Sequence, residues 1–125
     1  MVIKFENYNE FPDLILVRKF SGEVEVDSII ESWKFLIENN LIKKTHLGVI
    51  NDLTNCELLM NNKGFSTLTD YLINQEILKP LKLAVICNSP NKIIFPILGE
   101  KDVKELKIKP FYTLEAAVDW IVNMP

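Results

Sequence analysis

Cys87, Asp52 and His46 are the side chains whose types suit nucleophilic or acid–base chemistry. A cysteine becomes a nucleophile when a nearby base takes its proton. His46 is the only histidine and precedes the apolar run Leu47-Gly48-Val49-Ile50, whereas Cys87 closes the run Leu83-Ala84-Val85-Ile86. If both runs are parallel strands, about six residues of extended chain hold the two side chains roughly 20 Å apart. The pair is therefore not expected to meet, and Cys87 reads as a packed thiol. Cys56 and Cys87 are the only cysteines and form no C-x-x-C motif, so a zinc site lacks ligands. Two free thiols fit a reducing compartment. Asp52 has the type of a general base or phosphoacceptor, yet a carboxylate that begins a loop is more often a turn former or a helix cap. Gly22, Gly48, Gly64 and Gly99 are scattered and build no phosphate-cradling loop. These residues predict no enzyme, no cofactor and no metal site.

The elements that must position these residues follow from the patterning. Residues 2–6 and 13–20 read as strands joined by a short Asn/Pro-containing spacer, an antiparallel hairpin. Leu14-Ile15-Leu16-Val17 is apolar at consecutive positions, as in a strand covered on both faces. Ser21-Gly22 reads as its end. A helix is predicted from Asp27 or Ser28, with Ser28 and Glu31 spaced as a capping box, ending near Asn39-Asn40. The third strand is 47–52, followed by a polar loop to about Gly64. A second helix then carries Phe65, Leu68, Leu72 and Ile73 and stops before Pro80. Residues 81–87 form the clearest strand. Residues 92–99 read as a short helix interrupted by Pro96 and ended by Gly99, and 106–111 as a weaker strand. Thr113 is the predicted N-cap of a last helix, whose stripe is Leu114, Ala117, Val118, Ile121 and Val122.

No repeat, linker or low-complexity tract interrupts this order, so residues 1–125 read as one domain. The order ββαβαβαβα predicts an α/β fold with a mixed, mostly parallel five-stranded sheet, an N-terminal hairpin and about four helices. Right-handed crossovers that always add on the same side gather the helices mainly on one face. The other face then needs a terminal segment, a displaced helix or a second subunit, and a homodimer is expected.

Composition narrows the partners. The chain has 125 residues, 48% hydrophobic, with 14 basic and 17 acidic residues. Arg18 is the only arginine and the longest basic cluster is Lys43-Lys44, so nucleic acid and anionic lipid are not expected partners. No apolar run approaches the roughly 20 residues of a membrane span. The first residues, Met1-Val2-Ile3-Lys4-Phe5-Glu6, lack the apolar stretch of a signal peptide, which predicts a cytoplasmic protein.

Ligands of open α/β sheets bind beyond the carboxyl ends of the strands. That edge is predicted to carry Ser21, Gly22, Asp52, Thr54, Asn55, Asn61, Asn62, Asn88 and Ser89. Of these, Asp52, Thr54, Asn55, Asn61, Asn62, Asn88 and Ser89 are the candidate binding residues. Singly, such residues serve turns and caps; together they are the best candidate for a recognition edge. Trp33 lies on its helix stripe and is expected in the core. Trp120 lies off the last stripe, as a shoulder over the sheet edge or an interface anchor.

The order and several motifs resemble the STAS fold (sulfate transporter and anti-sigma-factor antagonist) in its SpoIIAA-like branch. The resemblance rests on Leu16-Val17-Arg18-Lys19-Phe20-Ser21-Gly22, on Gly48-Val49-Ile50-Asn51-Asp52-Leu53-Thr54, on Leu83-Ala84-Val85-Ile86-Cys87-Asn88-Ser89-Pro90 and on the closing stretch from Phe111 to Ile121. It implies a regulatory protein-interaction module. In antagonist members the resemblance implies a phosphorylated serine in an Asp-Ser-Ser-Gly motif after the central strand. The matching stretch here, Met60-Asn61-Asn62-Lys63, has no serine. The same broad fold is similar to lipid-carrying Sec14-type domains, which implies a carrier of a small apolar ligand as the alternative. Asp52 and Lys109-Pro110-Phe111 also resemble a response-regulator receiver. Receivers hold Mg²⁺ with an early acidic pair, and Arg18-Lys19 stands at that position, so that alternative is a degenerate receiver-like regulatory domain.

Overall fold

A computed structural model describes residues 2–123. Five strands, β1 (Val2–Asn7), β2 (Ile15–Glu25), β3 (Gly48–Leu59), β4 (Lys82–Ile86) and β5 (Lys107–Phe111), form one sheet in the order β1-β2-β3-β4-β5. β1 and β2 are antiparallel, and every later pair is parallel. Four helices complete the fold: α1 (Val26–Glu38), α2 (Asn62–Ile73), α3 (Pro90–Asp102) and α4 (Leu114–Asn123). This is the mixed sheet with an N-terminal hairpin that the patterning predicts. It is not the 2-1-3-4-5 strand order of receiver-type folds, so the receiver-like alternative is dropped.

Alternation along the strands makes two cores. Leu16, Phe20 and Val24 of β2, Val49 and Leu53 of β3 and Leu83 of β4 face α1 and α2, against Ile29, Trp33, Leu36 and Leu72. Ile15, Val17, Ile50, Ala84 and Ile86 face the other way, against Ala117, Val118 and Ile121 of α4. Tyr8, Phe11 and Leu14 of the hairpin turn pack on that second core. Of the covers expected for that face, a displaced helix, α4, supplies it together with the hairpin turn. The three crossover helices share one face, as same-side addition predicts, whereas α4 follows the last strand, returns to no further one, and is free to fold onto the opposite face.

β2 and β3 outrun their predicted ends. Ser21-Gly22 is no terminus: the register shifts between Lys19 and Ser21, Gly22 takes φ 78°, and pairing resumes to Glu25 and Leu59. Only a residue without Cβ takes that conformation readily; the extra residue at the register shift lies in β3, where Leu53 and Thr54 stand opposite Phe20. The polar loop predicted after Asp52 is likewise strand as far as Leu59. α1 therefore starts directly at Val26, with Glu25 as an N-cap that makes no side-chain cap bond; the Ser28–Glu31 capping box is not used. The two-stranded arm sets the starts of α1 and α2 side by side. A Cβ on Gly64 would lie 2.8 Å from Val26 Cγ2, so glycine permits that approach. α3 runs through Pro96 and Gly99 rather than ending at them. Thr113 caps α4 as predicted, its Oγ1 accepting from Ala116 N at 3.2 Å.

Candidate functional site

The carboxyl edge of the sheet divides its predicted residues among three places. Asp52 Oδ1 accepts from Thr54 N at 3.0 Å and from Thr54 Oγ1 at 2.6 Å, a local closure of the turn-forming kind. Asp52 lines a cleft of about 260 Å³ on the α4 face, together with Lys19, Glu6 and Tyr8. Lys19 spends its charge on Glu6, at 2.7 Å, in an exposed pair. Asn88 sits on the helix-bearing side and donates through Nδ2 to Thr54 O at 3.4 Å. Lys92, which sequence reasoning passed over, ties this point together: its Nζ donates to Leu53 O at 2.9 Å and to Asn88 Oδ1 at 3.2 Å. Ser89 is the N-cap of α3 without a side-chain cap bond. Asn55 is exposed on the arm. Asn61 and Asn62 stand at the start of α2, beyond the end of β3. At about 3.3 Å per residue, the strand carries them more than 20 Å of contour past Asp52. Asn61 is the N-cap, its Oδ1 accepting from Gly64 N at 2.8 Å, and Asn62 is exposed. The structure therefore joins Asp52, Thr54 and Asn88 through Thr54 and separates them from the asparagine pair.

The other side chains named from sequence have structural partners. His46 is buried; its Nδ1 accepts from Lys43 N at 2.8 Å and its Nε2 lies 3.3 Å from Asn7 Oδ1. Both ring nitrogens thus face groups other than Cys87. Cys56 and Cys87 are free and buried, and burial pushes both thiols above their usual range. Trp120 is half-buried, with its ring centroid 5.5 Å from that of Phe111 and the Lys82 ammonium 5.5 Å from the ring. It covers the β4–β5 edge as a shoulder. Among the described residues no group of three or more His, Cys, Asp or Glu side chains is placed to hold a metal ion.

The least expected feature lies in the core beneath α1 and α2. Arg18, in mid-β2, is 1% exposed. It shares strand parity with Leu16 and Phe20, and so points into the helix-bearing core. Its guanidinium carbon lies 3.9 Å from the Trp33 ring centroid and 4.9 Å from that of Phe20. Nη1 donates to Asn51 Oδ1 at 2.7 Å and Nη2 to Ser32 Oγ at 2.8 Å. Asn51 is itself anchored, donating to Ala84 O at 3.0 Å. Nε has no partner, and among the described residues no carboxylate pairs with the cation. Burial pulls the guanidinium down to about 9, still a cation at neutral pH. Arg18, Asn51 and Thr69 line a cavity of about 100 Å³ whose other walls are apolar side chains of α1, α2, α3 and the sheet. Phe65 of α2 and Phe95 of α3 stack across it with centroids 5.4 Å apart, and both keep partial exposure. The available signal was a lone arginine in an otherwise apolar run, on the parity of the core.

No protein-family model matches the chain, and no curated protein matches its sequence. Solved structures do match its shape. One is an uncharacterised protein of the DUF3478 family with a SpoIIAA-like fold, from Shewanella loihica PV-4. It is 20% identical with a TM-score of 0.62, over 96% of this chain and 92% of that one. Another is the anti-sigma factor antagonist SpoIIAA in its unphosphorylated form, 12% identical with a TM-score of 0.59, over 98% of this chain and all of that one. The chain has a SpoIIAA-like fold.

Proposed function

We propose that this chain is a non-catalytic STAS-like interaction module whose binding is constitutive rather than phosphorylation-switched. The observation that carries the reading is the start of α2. The solved SpoIIAA is named an anti-sigma factor antagonist and is described in an unphosphorylated form. Here Met60-Asn61-Asn62-Lys63 offers no hydroxyl, and an asparagine amide already caps the helix. Phosphorylation would add about −1.5 to −2 charges at such a position; a neutral amide keeps one permanent hydrogen-bonding surface. Two free, buried thiols support a reducing, cytoplasmic setting.

Asp replaces Asn at an N-cap with little loss, so Asn61→Asp with Asn62→Asp adds charge without unfolding the helix. Quantitative capture from the native cell with both proteins should recover a partner with the wild type that the charged variant loses. An identical set of captured proteins would put the interface elsewhere. Stoichiometric phosphate on Thr54 or Ser66 in protein from the native cell would refute the constitutive reading.

A second reading has its own observation. The apolar cavity between sheet and helices, with a buried cation in its wall, supports a carrier of a small apolar ligand.

A further inference from the structure

From the unpaired cation in the cavity wall we infer that the chamber binds a small apolar carboxylic acid, its carboxylate on Arg18 and its hydrocarbon among Phe65, Leu68, Val85 and Phe95. This rests on the carrier reading and adds the chemistry of the ligand. A buried guanidinium is retained when its donors are used and its charge is countered. Asn51 and Ser32 use one donor on each terminal nitrogen but supply no charge. Nε–H, the inner tine of the side-on fork that carboxylates engage, stays unused in a fully buried side chain. A water molecule would satisfy that donor and leave the cation opposed only by the ring faces of Trp33 and Phe20. A phosphate group would bring more charge than one arginine counters, and no lysine lines the chamber. A monoanionic carboxylate supplies one charge and the two oxygens the fork takes.

Size sets the tail. An apolar cavity of about 150 Å³ takes benzene. The roughly 100 Å³ here is smaller, so it takes the carboxylate and the first carbons of an acid of about four to six carbons, whose tail emerges between the partly exposed Phe65 and Phe95. The aromatic faces on Arg18 hold the guanidinium plane fixed, so the fork is organised before the ligand arrives.

The test titrates the full chain with hexanoate and with hexanol, its neutral counterpart of equal length, and follows the arginine Nε–H resonance by NMR. Arg18 is the only arginine, so one resonance reports on it. Hexanoate should saturate, move that resonance downfield, and bind at least about tenfold tighter than hexanol. In Arg18→Met the preference should vanish, hexanol binding at least as well as hexanoate. If hexanol matches hexanoate in the wild type, the cavity is merely apolar: the carrier reading stands and the carboxylate assignment fails. Saturation by hexanoate without movement of Nε–H puts the acid elsewhere and also overturns the assignment. If neither compound binds, the carrier reading itself falls. Should Arg18→Met not fold, the two ligands and the wild-type resonance decide alone.

Discussion

His46 shows how a residue that suggests chemistry serves structure instead. Its Nδ1 accepts a backbone N–H from Lys43, which requires the neutral ring with its proton on Nε2, toward Asn7. Burial first, and then the charge of Lys43, lower its pKa below the ordinary 6.5, against a weaker opposing pull from Asp13. A depressed folded value means that the unfolded chain takes the proton first. The neutral ring's contribution is therefore fully present above 6.5 and is lost as pH falls through the lower folded value. Urea unfolding at pH 7.5 and 5.5 should show the wild type weakening on acidification, and His46→Gln weakening less. Equal pH dependence would show that the ring carries no linkage. Asp52 is legible as a maker of local hydrogen bonds from its type alone, and it bonds Thr54 although β3 continues past it to Leu59. Arg18 is not legible, because its role needs Trp33 and Ser32 from α1 and Asn51 from β3, three-dimensional neighbours that no spacing along the chain announces.

At the scale of elements, existence and order were legible and ends were not. Gly22 is read as a stop because glycine punctuates; in the fold β2 runs on through it at φ 78°, just past the shift in register. The polar stretch Asn55-Cys56-Glu57 reads as loop on composition, yet it pairs with Ser21–Glu23, and only pairing makes it a strand. The asparagine cap of α2 is one of the turn-and-cap roles the sequence offers, and Asn61 takes it. Gly48 carries a sharper constraint. A Cβ there would lie 2.6 Å from Lys82 O and 2.9 Å from the Ile121 side chain. The first obstacle is backbone of the neighbouring strand, which cannot turn aside as a side chain can. Gly48→Ala should therefore push β4 or α4 away at the point where β3 enters the sheet. The expected loss is about 1–3 kcal/mol, the range of overpacking in a well-filled core, and urea unfolding measures it. A loss below about 0.5 kcal/mol, the scatter of surface substitutions, would show that Lys82 and Ile121 yield freely.

For the whole molecule, the argument for self-association changes once α4 is in place. The expectation of a homodimer rests on an open sheet face, and that face is covered by Ala117, Val118 and Ile121 with Tyr8, Phe11 and Leu14 beside them. What remains are the two outer strands. β5 carries Lys107, Lys109 and Pro110, and proline has no N–H to lend to an incoming strand. β1 is six residues long and sets Lys4 and Glu6 outward. Short edges bearing charges and proline resist strand pairing between copies. The exposed apolar side chains, among them Val2, Phe35, Ile77, Ile97 and Tyr112, come from different elements. Scattered exposure of that sort is ordinary for a protein surface. Sedimentation equilibrium should therefore return the monomer mass of 14.4 kDa, independent of loading concentration. A mass rising toward the dimer would mean that an edge pairs despite its lysines. In that case Val2→Lys, which adds charge to the β1 edge, should restore the monomer if β1 is the edge in use. A monomer also suits the proposed chemistry. Phe65 and Phe95 flank the chamber and keep partial exposure, so with no second copy over α2 and α3 the way in for a small acid runs between them, to an Arg18 that is itself 1% exposed.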